Sequence, residues 1–229
     1  MRRSRALVLL LVPALLGMGS ARLDSLALAS SSATLGANAL TAGAWILYLH
    51  NNPTPPTGTT TAQFNLSMTS LSSTQATLQN YDSDCDAVAG RELLRGTALA
   101  TEATLCKYAN WRTGTYLAAR ALKGTLTLRI WCRKTGTGGT NPTLTAYLRD
   151  FNPGTSGYTE LGSASGAVVT NSGTAFAQLT LTWSLSTTVP AGHQLELKLV
   201  AGGGTLDVNL AYDTTTQLSR LVLLQVPAS

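Results

Sequence analysis

Residues 124–133 read Gly-Thr-Leu-Thr-Leu-Arg-Ile-Trp-Cys-Arg, and this stretch decides the fold class. Leu126, Leu128 and Ile130 alternate with polar or amphipathic residues, so the apolar side chains recur with a period of two. That period is typical of a β-strand with one face in the core and the other in water. The buried face continues to Cys132, which we expect to lie in the core as a small hydrophobic residue.

The same alternation recurs toward the C-terminus. It is found in residues 144–148, 179–185, 195–199 and 206–210, between turns rich in Gly, Pro and Asn. No segment has a convincing helical period over three turns. Successive half-buried strands separated by turns predict an all-β protein, an antiparallel jelly-roll-like β-sandwich.

The composition favours a single sheet-based domain. The chain has 229 residues, enough for one core and too few for two comfortable ones. Thr occurs 34 times and suits the wet face of a sheet, whereas charged residues make up only 12%. These values argue against a helical bundle, a coiled coil or a charged disordered chain. With 2 His and 3 Cys, a classical metallo-enzyme is also disfavoured.

The N-terminus predicts export. Three Arg among the first five residues precede an apolar stretch over residues 6–19, which is shorter than the roughly 20 residues that span a bilayer. We therefore expect a signal peptide over residues 1–29, with cleavage after Ala29 or, as a second candidate, near Ala21. The alternative is a retained N-terminal anchor.

Removal of residues 1–29 changes the charge and the compartment. The formal net charge falls from +5 to +2, and no Lys/Arg-rich run survives, so we expect no nucleic-acid partner. The mature protein is expected to be secreted or held at the cell surface, with no membrane span after cleavage.

An irregular segment carries the candidate disulfide and the candidate metal site. Cys85 and Cys106 lie in polar surroundings and form the more natural pair in an oxidising compartment, although spacing alone does not fix the connectivity. Asp82, Asp84 and Asp86 place three carboxylates on one loop, the ligands that a structural Ca²⁺ prefers. The alternative is a solvated acidic turn. No other cofactor is expected.

The segment after the leader bears on assembly. We divide the chain into an N-terminal strand with a Pro/Thr linker over residues 30–62 and a β-sandwich domain over residues 63–229. The strand contains Trp45, Ile46, Leu47, Tyr48 and Leu49. Folded back, it is the first strand of its own sandwich, which is the default. Donated to another copy, it would build a fibre by β-augmentation.

A candidate ligand site depends on one strand pairing. If residues 124–133 and 143–150 form a hairpin, Arg129 and Trp131 share an outer face with Tyr147 and Arg149. Aromatic rings beside Arg can stack on a sugar and hydrogen-bond its hydroxyls. The alternative is an Arg–aromatic stack that only stabilises the wet face of the sheet.

The two histidines are interpreted as structural. His193 follows a Pro-Ala-Gly turn at the rim of an apolar face, and His50 stands beside two Asn at a strand end. A general base needs a nucleophile in reach and an orienting acid, and no spacing in the sequence links such a set. We therefore expect no enzyme, and a small esterase or peptidase is the last-ranked alternative.

Three motifs in order support a family resemblance. They are Gly124-x-Leu126-x-Leu128-x-Ile130-Trp131, Leu144-x-Ala146-x-Leu148-x-Asp150 and Val189-Pro190-Ala191-Gly192-His193-x-Leu195-x-Leu197. This series, over residues 120–226, resembles the C-terminal jelly-roll of X-prolyl dipeptidyl aminopeptidases and cocaine-esterase-like hydrolases. The resemblance implies a galactose-binding-like sandwich. Catalysis in that family belongs to a separate α/β-hydrolase domain, so the resemblance implies no catalytic residue here.

A shorter resemblance lies at the N-terminus. Residues 33–43, Ala-Thr-Leu-Gly-Ala-Asn-Ala-Leu-Thr-Ala-Gly, look like the start of mature camelysin/TasA-type proteins, which are secreted jelly-roll subunits of biofilm-matrix fibres. This resemblance implies a structural role outside the cell.

These observations give one expected function and one main alternative. We expect a secreted, non-catalytic β-sandwich of the cell surface or extracellular matrix, whose partner is itself, as a fibre subunit assembling through its N-terminal strand. The alternative is a carbohydrate-binding module whose partner is a surface glycan. An envelope protein with a protein partner is not separable from the first on sequence.

Overall fold

A computed structural model describes residues 44–50, 66–74, 92–93, 95–96, 108–171 and 173–225. Several predictions fall outside these ranges: the signal peptide, residues 33–43, the linker, the carboxylates of Asp82, Asp84 and Asp86, and the pair Cys85 and Cys106. The described part is all-β, and it contains no helix able to cross a membrane.

Twelve strands form within the described residues. In chain order they are β1 (Ala44–His50), β2 (Leu66–Thr69), β3 (Glu92–Leu93), β4 (Arg95–Gly96), β5 (Ala109–Arg112), β6 (Arg120–Lys134), β7 (Thr143–Asn152), β8 (Gly157–Ala167), β9 (Ala177–Val189), β10 (Gln194–Gly202), β11 (Val208–Ala211) and β12 (Arg220–Gln225). Four of the five longest, β6, β7, β9 and β10, contain the segments with period-two alternation, whereas β8 was not predicted from the sequence.

The strands join in one sheet that curls round on itself. β6 has β9 on one edge and β12 and β11 on the other, and the sheet continues from β12 through β1, β2, β5, β10 and β7 to β8. β3 pairs with β11 and β4 with β10. Most pairs are antiparallel, but β2–β5 and β4–β10 are parallel, so the sheet is mixed.

The curl produces two layers. We call β9, β6, β12, β11 and β1 the first layer, and β2, β5, β10, β7 and β8 the second layer. They are joined by short ladders, with three residue pairs between β1 and β2 and two between β2 and β5. These short ladders let the sheet turn, which gives the sandwich that the alternation predicted.

The core lies between the layers and consists mainly of leucine. Side chains that are at most 1% exposed include Leu126, Leu128, Ile130, Leu221 and Leu223 from the first layer and Leu144, Leu148, Leu195, Leu197 and Leu199 from the second. Burying each contributes about 2 kcal/mol relative to leaving it in water. Cys132 is also in the core, as predicted, and burial raises its thiol pKa to about 12.

The predicted N-terminal strand is a strand of its own sheet. β1 pairs antiparallel with β12 from Ala44 to Tyr48 and with β2 from Tyr48 to His50. Leu47 and Leu49 are buried in the common core. Within this chain, β1 therefore has partners on both edges.

The two end strands of the sheet, β8 and β9, meet face to face. A Cβ at Gly162 would lie 2.9 Å from Cδ1 of Trp183, and one at Gly166 would lie 2.9 Å from Cδ2 of Leu181. Core-facing positions of the two strands thus pack directly on each other. Glycine permits this close approach because it has no side chain.

Candidate functional site

The hairpin that defined the predicted ligand site does not exist. β6 pairs with β9, β11 and β12, whereas β7 pairs with β8 and β10. Arg129 and Trp131 therefore lie on the first layer, and Tyr147 and Arg149 lie on the second. The turn over residues 134–142 crosses from one layer to the other instead of making a hairpin, so the prediction of a shared face was wrong.

Tyr147 and Arg149, the two predicted site residues on the second layer, belong to a buried charged cluster. Arg149 is 6% exposed, and its Nη1 lies 3.4 Å from Oε1 of Glu196. Its guanidinium lies 3.9 Å from the ring centroid of Tyr158 and 5.8 Å from that of Tyr147. Burial is the main cause that raises the Tyr147 hydroxyl pKa, and the charge of Glu160 raises it further. Arg149 is thus committed to the packing of its own layer.

Glu196 is the centre of this cluster. Its side chain is 1% exposed and accepts a second bond, of 2.5 Å, from Nε of Arg112. The Arg112 guanidinium also stacks 3.6 Å from the ring centroid of Phe151. A carboxylate removed from water this completely needs cationic donors, and two arginines supply them. The sequence separates Arg112, Arg149 and Glu196 widely, and only the β5–β10–β7 register brings them together.

Arg129 and Trp131, the two predicted site residues on the first layer, face outward on a positively charged surface. Strands β1, β6, β9 and β12 contain six Lys or Arg and no Asp or Glu. On β6 the outward positions alternate with the core leucines. We define the basic face as the outer surface of the first layer that carries Lys123, Arg129, Trp131, Arg133 and Arg220.

Arg129 and Arg220 are direct cross-strand neighbours on the basic face. They are register partners in the antiparallel β6–β12 pair, and Arg129 is exposed. Like charges placed opposite each other on a sheet repel, so this pair costs stability when nothing anionic lies on it. Arg220 donates to the carbonyl of Leu218 at 3.2 Å, which orients its guanidinium.

Hydroxyl groups line the β9 side of the basic face, whereas on the β12 side Thr127 pairs with Val222 and Thr125 with the exposed Leu224. Cross-strand pairs Thr125–Ser184, Thr127–Thr182 and Arg129–Thr180 run along β6 and β9. The β9 members of these pairs are exposed. The face therefore offers a row of hydroxyl donors and acceptors beside a row of guanidinium groups.

Trp131 and Arg133 border the basic face at its far end. Trp131 is half-buried, and its backbone N–H donates to the Ser219 hydroxyl at 3.0 Å. Arg133 donates to the carbonyl of Thr174 at 2.7 Å and stacks 4.5 Å from the ring centroid of Phe176. The Arg133 side chain is thus held in place by its neighbours, whereas Trp131 is anchored through its backbone.

An open cleft of about 570 Å³ lies on the second layer. Its lining includes Ser67, Thr69, Arg112, Phe151 and Gln194. The charge of Arg112 is already matched by Glu196, so the cleft is polar without a strong excess of charge.

His50 is the middle member of an Asp–His–Thr arrangement. Its Nδ1 lies 2.9 Å from Oδ1 of Asp213, and its Nε2 lies 3.0 Å from Oγ1 of Thr69. The same Nε2 lies 2.8 Å from the carbonyl oxygen of Leu71, which can only accept a proton. The hydrogen bond to Asp213 is the main cause that raises the His50 pKa. His50 thus donates from both nitrogens and has no free lone pair to take a proton from Thr69.

The side chain of His193 has an acidic partner, Asp150, which the sequence spacing did not predict. Its Nδ1 lies 2.7 Å from Oδ1 of Asp150, because β7 and β10 pair Asp150 with Leu195. The carbonyl of His193 accepts the backbone N–H of Tyr116 at 2.9 Å.

Among the described residues, no group of three His, Cys, Asp or Glu side chains is arranged to hold a metal ion.

The fold and the site define a mixed β-sandwich whose first layer has an outer face with several basic side chains and a row of hydroxyl groups. No protein-family model matches the sequence, and no curated protein is similar to it. Solved structures are similar in fold. A CocE/NonD family hydrolase from Staphylococcus aureus has a TM-score of 0.50 and 10% identity, covering 84% of this chain and 40% of its own.

Two further structures are nearly as similar. An aminopeptidase from a marine sediment archaeon, Thaumarchaeota archaeon, has a TM-score of 0.49 and 9% identity, covering 80% of this chain and 37% of its own. An α-amino acid ester hydrolase has a TM-score of 0.49 and 11% identity, covering 79% of this chain and 36% of its own. The chain thus spans less than half the length of these proteins, and at such identity the likeness concerns the fold alone.

Proposed function

We propose that this protein is a secreted, non-catalytic β-sandwich of the cell surface or extracellular matrix that binds an acidic polysaccharide through its basic face. The observation that carries the proposal is the Arg129–Arg220 pair, two like-charged residues that are register partners across β6 and β12, on a surface where strands β1, β6, β9 and β12 contain no Asp or Glu. An anionic polymer lying across the strands would relieve their repulsion.

The chemistry of the face favours a uronic acid polymer over a small ligand. Its outer surface is sheet-like, so it suits an extended chain, whereas small ligands bind in concave sites. Guanidinium groups match carboxylates with paired hydrogen bonds, and the Thr and Ser rows match sugar hydroxyls. Trp131 at the border offers an apolar edge to a sugar ring.

Two further predictions accompany this proposal. We infer that the sandwich is related to the C-terminal jelly-roll of cocaine-esterase-like hydrolases, on the motifs within residues 120–226. Assembly into fibres by donation of residues 44–50 stays a prediction. It would require exchange of both ladders that β1 makes inside its own chain, five pairs with β12 and three with β2.

Binding to polygalacturonate, with neutral dextran as the comparison, tests the proposal. We expect binding to polygalacturonate alone, and we expect it to weaken as salt rises because exposed charges are screened. Thr180→Glu places a carboxylate beside Arg129, and its expected cost of about 1 kcal/mol is roughly a fivefold loss of affinity.

Ser163→Glu is the matched control for Thr180→Glu. Ser163 is exposed on the other end strand, β8, and lies on the outer face of the second layer opposite Tyr147. The Ser163→Glu substitution adds the same charge away from the basic face, so the affinity for polygalacturonate should be unchanged. Equal losses in the two variants, equal binding to dextran, or equally strong binding to duplex DNA would contradict the proposal.

A further inference from the structure

The end strand β9 has one edge that no described strand covers. All 13 of its residues pair with β6, from Arg120–Val189 to Cys132–Ala177. Within the described ranges, no strand pairs with its other edge, and β8 likewise pairs only with β7. Since β8 and β9 meet through core-facing positions in opposite layers, their open edges lie on the same flank of the sandwich.

The β9 edge lacks the features that normally prevent pairing between molecules. Natural edge strands are short, bulged, or interrupted by Lys or Pro. β9 reads Ala-Gln-Leu-Thr-Leu-Thr-Trp-Ser-Leu-Ser-Thr-Thr-Val and contains no charged residue, Pro or Gly. Its pairing with β6 has no register shift. It is therefore a long, regular edge whose outward backbone groups can accept another strand.

The sequence of β9 allows it to pair antiparallel with β9 of a second copy, with side chains of the same kind opposite each other. Two β9 strands related by a twofold axis at Trp183 are antiparallel, with Leu181 opposite Leu185 of the other copy and Thr182 opposite Ser184 of the other copy. Core-facing residues then meet core-facing residues, and hydroxyls meet hydroxyls. Because β9 has no charge, this pairing brings no repulsion, and it offers no charge complementarity to a different protein.

We propose that the protein forms a homodimer in which the β9 strands of two copies pair antiparallel and join their first layers into one continuous sheet. A twofold interface of this kind is closed, so assembly stops at two copies. The two basic faces then become one surface of double width. Only this last consequence rests on the proposed function, because β9 pairing needs no polysaccharide.

Sedimentation velocity without polysaccharide tests the dimer. The protein should sediment at twice the monomer mass. Thr182→Lys combined with Ser184→Lys should give monomers, because the twofold register brings all four new ammonium groups together. The melting temperature reports whether that variant is folded. The matched control is Thr125→Lys with Thr127→Lys, on the β6 partners of the same residues, one strand away from the edge; it should remain a dimer.

Hydrogen exchange of the unmodified protein gives a second measurement that needs no variant. β9 amides that point away from β6 should be protected at concentrations where the dimer forms and should exchange on dilution. A monomer at all concentrations, species larger than a dimer, or a dimer unaffected by the β9 lysines would each overturn the proposal. A dimer that fails to bind polygalacturonate would contradict the proposed function alone.

Discussion

At the scale of single residues, this protein places charge where a β-sandwich normally does not. Glu196 is almost fully buried on the outward side of β10, between the guanidinium groups of Arg112 and Arg149. Aromatic rings cover both cations, with Phe151 under Arg112 and Tyr158 under Arg149. These contacts replace the water that the charges lose. They also explain why Arg149 is unsuited to ligand binding.

Replacement of Glu196 by Gln tests this interpretation. The variant keeps the shape of the side chain but leaves two arginines without their shared carboxylate. We expect the free energy of unfolding to fall by about 3 kcal/mol, measured by urea denaturation. Gln178→Ala, at an exposed position on β9 in the other layer, is the control and should change it by less than about 0.5 kcal/mol. A Glu196→Gln protein as stable as the original would contradict the assigned role.

The His50 contacts predict a pH dependence of stability. Its folded pKa is raised above the ordinary histidine value of 6.5, chiefly by the hydrogen bond to Asp213. The stabilisation from protonated His50 is therefore fully present below that unfolded value and is lost as pH rises through the folded one. The difference in unfolding free energy between the protein and His50→Gln should be larger at about pH 5 than at about pH 9.

Asp213→Asn gives the control for the His50 experiment. It removes the main cause of the raised pKa, so its stability difference from the protein should follow the same pH trend. A difference that is constant with pH in both variants would show that His50 is not protonated in the folded state.

At the scale of secondary-structure elements, the alternation of side chains predicted much of the fold. Leu126, Leu128 and Ile130 indicated β6 and its buried face, and all three are core residues. The alternation does not specify which strands are neighbours, because every strand with the same period has an equivalent buried face. That is why Arg129 and Tyr147 were expected on one surface, and why the contact between Asp150 and His193 was missed.

The contact between β8 and β9 depends on glycine. A Cβ at Gly162 would approach Trp183 to 2.9 Å. We expect Gly162→Ala to lower the unfolding free energy by about 1–3 kcal/mol, because the added methyl overpacks the core. Gly138→Ala is the control, since a Cβ there meets nothing within 4 Å. Thermal denaturation of the two variants checks this, and equal melting temperatures would contradict the close packing.

At the scale of the whole molecule, charge is divided between the layers. The first layer has only cations on β1, β6, β9 and β12, whereas the second layer pairs Arg112 and Arg149 with Glu196. Composition did not reveal this division, because the sequence distributes Arg129, Arg149 and Arg220 over distant strands. Only the register of β6 with β12 places Arg129 against Arg220. The fold thus creates one surface with unmatched charge and one with matched charge.

The position of a bound acidic glycan decides whether the basic face is the binding surface, and NMR chemical-shift mapping with a galacturonic acid oligosaccharide measures that position directly. We expect the perturbed amides to lie on β6, β9 and β12, centred on Arg129, Thr180 and Arg220. Perturbations centred on Arg112 and Phe151 in the second-layer cleft, or none at millimolar oligosaccharide, would contradict the assignment of the basic face as the binding surface.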